Sequence, residues 1–133
     1  MSIGSFKHEA GLNHVGAYQV SGTPFASGSI DASSAVKITF PYVTRWVQIV
    51  NNDTSNAVKV GFSSIGVQGT NYFTIGKGAT AVPTSSERLE VKVTELWLYG
   101  ADNVDVVAGL TSINGRMTTT DSGTSWSGSS GVG

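Results

Sequence analysis

Apolar residues recur along this chain mostly at every second position, in short runs, and no segment of 11 or more residues keeps the 3.6-residue spacing of an amphipathic helix. The runs are rich in valine, isoleucine, threonine and aromatics, which suit a pleated and half-buried surface. They predict strands over Tyr18 to Val20, Phe25 to Ile30, Val36 to Phe40, Val43 to Asn51, Val58 to Phe62, Asn71 to Ile75, Leu89 to Val93, Glu95 to Tyr99 and Val104 to Leu110. Turn-forming residues separate most of them. Asn51 to Asn56 and Gly100 to Asn103 have the chemistry of hairpin connections, because Asn, Asp and Gly tolerate positive φ. Pro41 withdraws a backbone donor between two strand patterns and predicts a bend or an edge position. About eight strands of uneven length predict an all-β domain, an antiparallel β-sandwich of single jelly-roll type, with a plain Greek-key sandwich as the second choice.

Alternation within the strands separates ordinary faces from unusual ones. In Val58 to Ser63 the apolar Val58, Val60 and Phe62 oppose Lys59, Gly61 and Ser63, the pattern of a sheet with one face in water. Glu95 to Tyr99 is different, since Leu96 and Leu98 occupy one face while Trp97 and Tyr99 occupy the other. Thr44 to Val50 repeats this, with Val47 and Ile49 opposing Trp46 and Val50. Something has to cover each second face, either the chain's own arm or loop, or a neighbouring subunit, where aromatics are enriched.

The ends of the chain depart from this pattern. Residues 1–17 are glycine-punctuated, with isolated apolar positions at Phe6, Leu12 and Val15, and predict an arm that lies on something. Residues 118–133 hold one large apolar side chain, Trp126, among Ser, Thr and Gly, too little to offset the entropy of ordering them. That predicts a tail without order of its own that a partner holds down through Trp126. The sandwich domain then spans 18–117. The expected contact residues are Phe6, Trp46, Trp97, Tyr99 and Trp126.

Charged residues make up 13% of the 133, against roughly 25% in an average soluble domain, and the net charge is −1. So sparse a surface is solvated by hydroxyls and amides or covered by other subunits, and it offers no basic stripe for nucleic acid. No cysteine is present, which removes disulfides, thiolate nucleophiles and cysteine-bound zinc. The first residues lack a charged region followed by an apolar stretch, and no run reaches about 18 apolar residues, so neither a secretory leader nor a membrane span is expected.

Candidate chemistry is thin. His8 and His14 with Glu9 match no recognised metal-ligand spacing. Asp102, Asn103 and Asp105 have calcium-type oxygens, yet a tight turn uses the same residues. Gly76 to Thr80 lacks the hydroxyl residue after its lysine that a phosphate loop needs. Asn52-Asp53-Thr54 fits a glycosylation acceptor by pattern alone. No catalytic, cofactor-binding or metal-binding residue is expected, and no local motif supports a Ser-His-Asp arrangement.

The stretches Ile38 to Asn51, Val58 to Ser63 and Val106 to Ile113 resemble the small jelly-roll capsid proteins of double-stranded DNA viruses, the penton, minor capsid and decoration proteins. The resemblance implies a structural protein of the virion, assembled in the host cell and carrying no active site. Its partners would be further copies of itself, as a pentamer or trimer, and the major capsid protein or other capsid subunits. The competing expectation is a carbohydrate- or receptor-binding module, in which exposed Trp and Tyr rings would hold a glycan.

Overall fold

The computed structural model describes residues 22–133. The N-terminal arm with Phe6, His8 and His14, and the strand expected over Tyr18 to Val20, lie outside the described residues. Eight strands follow: β1 (Thr23–Ile30), β2 (Val36–Thr39), β3 (Thr44–Asn51), β4 (Val58–Gly61), β5 (Tyr72–Ile75), β6 (Thr84–Ser85), β7 (Glu95–Tyr99) and β8 (Val104–Leu110). A five-residue helix, α1 (Ser64–Gln68), and a 3-10 turn, Gly115–Thr118, complete the elements. The strands form two antiparallel four-stranded sheets, ordered β1-β8-β3-β6 and β2-β7-β4-β5.

This order has a simple origin. β1 pairs with β8, β2 with β7, β3 with β6 and β4 with β5, so the chain is one long antiparallel hairpin with its tip between β4 and β5. Wrapping that ribbon on itself adds the β3–β8 and β4–β7 ladders and closes a sandwich, which is the jelly roll expected from the strand pattern. The inward positions of the strands meet between the sheets. Val47, Ile49, Val58, Val60, Leu96, Leu98, Val104 and Val106 are buried there, and Phe25 meets Phe40 edge-on with centroids 5.0 Å apart. Each such aliphatic side chain removed from water contributes about 1.5–3 kcal/mol.

The structure corrects two of the expected hairpins. Asn51 to Asn56 and Gly100 to Asn103 each carry the chain from one sheet to the other, because β3 and β4, and likewise β7 and β8, belong to different sheets. Asn, Asp and Gly serve a corner as well as a hairpin, so local turn chemistry does not distinguish the two. The segment Leu89 to Val93 also forms no strand. It runs beside β3, exchanging backbone hydrogen bonds with Val47 at Leu89, but the Thr44 hydroxyl then takes ladder positions, donating to the Val91 carbonyl and accepting from Val93 N–H. β6, only two residues long, has no alternation by which to recognise it.

The corners are tied together at one end by Asp53. Its Oδ1 accepts from Ser55 N–H at 2.7 Å and Asn56 N–H at 3.0 Å, and its Oδ2 accepts from Asp102 N–H at 3.1 Å and the Asn56 side-chain amide at 3.3 Å. Its carbonyl receives Gly78 N–H from the β5–β6 connection at 2.7 Å. Beside it, buried Asn51 donates its amide to the carbonyls of Asn56 and Gly76. The backbone N–H groups of Ser55 and Asp102, first among these donors, hold the Asp53 carboxyl far below the usual carboxylate range. Asp102 is shifted upward, because the neighbouring Asp53 carboxylate accepts a hydrogen bond from its protonated form and repels its charged form.

The two shifts act on stability with opposite signs. Asp53 stabilises the fold above about pH 4, where the unfolded carboxyl is ionised, and that contribution is lost as pH falls toward its depressed folded value. The folded state holds the Asp102 proton more tightly than the unfolded state does, so its contribution is present in acid and lost as pH rises above about 4. Asp53→Ala should therefore lower Tm at neutral pH and flatten the acid limb of the stability curve. Asp102→Asn should raise Tm at neutral pH, with the gain vanishing in acid. Thermal melts across the acid and neutral range check both, and a lowered neutral Tm for Asp102→Asn would contradict the assignment.

Candidate functional site

The outward positions of the β2-β7-β4-β5 sheet carry the residues that the alternation of β7 singled out. Trp97 lies between Lys37 on β2 and Gly61 on β4, and Tyr99 lies opposite Lys59. The Lys37 ammonium stands 6.0 Å from the Trp97 ring centroid, and that of Lys59 lies 4.7 Å from Tyr72 and 5.9 Å from Tyr99. These lysines lay charge over ring faces, a cation–π arrangement.

What covers much of this face is the chain itself. Ser63 caps α1 by accepting Gly66 N–H at 2.9 Å, and Val67 of the helix is buried over Gly61. A Cβ at Gly61 would come within 2.9 Å of the Val67 side chain, so glycine is required for the helix to sit there. Lys59, Gly61 and Ser63 therefore do not form the water-facing side that their polarity suggests, since Gly61 and Ser63 are buried.

The C-terminal tail supplies the rest of the cover, contrary to the expectation that it lacks order without a partner. Ser125 is fully buried and its hydroxyl accepts Thr94 N–H at 3.0 Å. The Trp126 indole N–H donates to the Lys92 carbonyl while its ring packs against the core. Farther on, the Ser63 hydroxyl donates to the Val132 carbonyl at 2.6 Å. Ser125 and Trp126 hold φ of 48° and 62°, a left-handed conformation costing about 1–2 kcal/mol per residue. The buried hydrogen bond and the docked indole offset that strain. Together with Phe62, Val91, Val93 and Val132, Trp126 bounds an apolar groove of about 410 Å³.

Between the tail, α1 and β7 lies a second groove of about 360 Å³. Trp97 and Glu95 form its sheet side, Ser63, Ser64 and Ile65 its helix side, and the tail its remaining wall. Glu95 is buried, although it occupies an outward position of β7. Its Oε2 accepts the Trp97 indole N–H at 2.7 Å and its Oε1 accepts the Thr124 hydroxyl at 2.8 Å. Sequence alternation marked Trp97 and Tyr99 but passed over Glu95, because a carboxylate at an outward position ordinarily meets water.

The outer face of the β1-β8-β3-β6 sheet is built differently. Its rows place Pro24, Gly109 and Trp46 side by side, then Ala26, Val107 and Gln48, then Asp105 and Val50. The Trp46 indole lies over Gly109, where any Cβ would collide with it, and the Arg88 guanidinium stands 5.9 Å from its centroid. Asp105 is engaged by Ser29 N–H at 2.9 Å and the Asn52 amide at 2.8 Å. Asp102 thus enters its corner through its backbone N–H to Asp53 and Asp105 through its carboxylate, and among the described residues no group of three or more His, Cys, Asp or Glu is positioned to hold a metal ion. No helix among them is long and apolar enough to cross a membrane.

The four described contact residues therefore divide: Trp97 and Tyr99 on one outer face, Trp46 on the opposite one, and Trp126 in the tail against the chain's own core. Compared with known proteins, the chain matches no family model, no curated protein and no solved structure.

The tail contacts predict that Trp126→Ala releases residues 119–133. Amide exchange in that segment should rise to near-unprotected rates, and the fold should lose about 2 kcal/mol for the half-buried ring. Protection unchanged from wild type would mean that the indole is not the anchor.

Proposed function

We propose that this protein is a structural subunit of a virion, a single jelly roll of the penton, minor capsid or decoration kind that works through contacts with its neighbours. The observation that carries the proposal is the asymmetry of the two outer faces. One is capped by α1 and the C-terminal tail. The other, bearing Trp46, Val50, Val107, Ala26 and Pro24, has no described helix or tail over it.

The strands of that second face carry one charge, Asp105, already occupied by two hydrogen bonds, and Arg88 lays its guanidinium against Trp46. A surface of small and apolar side chains with one indole and no net charge suits burial against another protein, where charge is depleted and aromatics supply much of the binding energy. Repeated on every copy, such a patch favours closed symmetric rings. The resemblance of Ile38 to Asn51, Val58 to Ser63 and Val106 to Ile113 to jelly-roll capsid proteins takes in β3 and much of β8 at the centre of this face, together with β4 and part of β2 in the other sheet.

Light scattering on the purified chain tests the proposal. A discrete pentamer or trimer is expected, and Val107→Glu, which places a charge at the centre of the neutral face, should give a folded monomer. A wild-type monomer at micromolar concentration, or an oligomer indifferent to Val107→Glu, would count against this face as the subunit contact.

A further inference from the structure

Glu95 presents an electrostatic problem that the fold leaves open. It is 8% exposed, and glutamate is rarely so buried without a cationic partner. Among the described residues no Lys, Arg or His forms an ion pair with it; Arg88 pairs with Glu90 instead. Two neutral donors, the Trp97 indole and the Thr124 hydroxyl, supply one hydrogen bond to each oxygen. A carboxylate has about four acceptor sites, so two remain for other donors.

The surroundings specify what would fill them. The groove that Glu95 lines measures about 360 Å³, within the roughly 300–1,000 Å³ range of ligand sites. Trp97 contributes a ring whose π face attracts cations, and the Glu95 bond fixes the direction of that ring. Serine hydroxyls at 63, 64, 122 and 127 line the walls, and no basic residue does. Lys37 approaches the same indole from β2 without lining the groove.

We propose that this groove receives one guanidinium or ammonium group, presented as an arginine or lysine side chain by a protein partner. The cation supplies the missing countercharge to Glu95, donates to its remaining lone pairs and rests against the Trp97 ring. A neutral hydroxylated ligand could use the ring and the serines but would leave the buried charge uncompensated. The source of the side chain rests on the subunit reading above, whereas the chemistry of the groove does not.

The test uses the full chain labelled with ¹⁵N, in which the Trp97 indole N–H is assigned by its loss in Trp97→Phe. Titration with Nα-acetyl-arginine methylamide should shift that signal saturably in the millimolar range, while the citrulline counterpart, equal in shape but uncharged, and maltose should not. Glu95→Gln should weaken the response about tenfold, the loss of one charge-assisted contact. Should Glu95→Gln fail to fold, Ile65→Arg gives the same information from an exposed position on the groove wall. Its guanidinium should raise Tm and abolish the shift with the arginine probe. Equal responses to arginine and citrulline, a response to maltose alone, or none at all would overturn the proposal. Because the titration is read on the isolated chain, a monomer in light scattering with an intact titration would remove the subunit reading and leave the cation site standing.

Discussion

The wrapped hairpin depends on the corners at one end of the sandwich, and those corners depend on Asp53. A jelly roll sends its chain repeatedly from one sheet to the other, and each crossing leaves backbone donors without a ladder partner. Here donors from the β3–β4 corner and the β7–β8 corner meet at one carboxylate, while a donor from the β5–β6 connection takes the Asp53 carbonyl. A fourth crossing joins through backbone bonds between Ala32 and the Gly100–Ala101 step. The last two strands, β7 and β8, each lie at the centre of a sheet, so this carboxylate positions the arch on which both sheets close. Every pairing except β4–β5 joins distant parts of the chain, a topology that folds slowly because loop entropy is lost before contacts form.

Strand existence was legible because it rests on a local signal. Alternation located β1 to β5, β7 and β8 within a few residues, and it marked β7 and β3 as strands with two apolar faces. Sheet membership was not legible from turn residues, since the same Asn, Asp and Gly build a hairpin or a corner. α1 escaped because five residues with a Ser63 cap show too little periodicity to register. The signal for its docking was Gly61, a small residue at an outward strand position where a close approach of backbone is required.

The tail shows why composition misled. Counting apolar groups assigns residues 118–133 too little burial to order them, but the count omits strategically placed hydrogen bonds. Ser125 caps the buried N–H of Thr94 just before β7, and Ser63 serves both the helix start and the Val132 carbonyl. Each of these satisfies a backbone group that the fold would otherwise leave unpaired, so the tail and the sandwich each repair the other's ends. Such bonds cannot be inferred from how many serines a segment holds.

A chain with so few charges makes each buried one informative, and the two buried carboxylates among the described residues contrast. Asp53 accepts four hydrogen bonds, three of them from backbone N–H groups, and its depressed pKa expresses how fully the fold stabilises its charge. Glu95 accepts two, both from side chains, one of which lies on the C-terminal tail. Asp53 faces the corners it binds, whereas Glu95 faces a groove. Equal burial with unequal satisfaction is what separates a structural carboxylate from one whose environment is complete only when something else arrives.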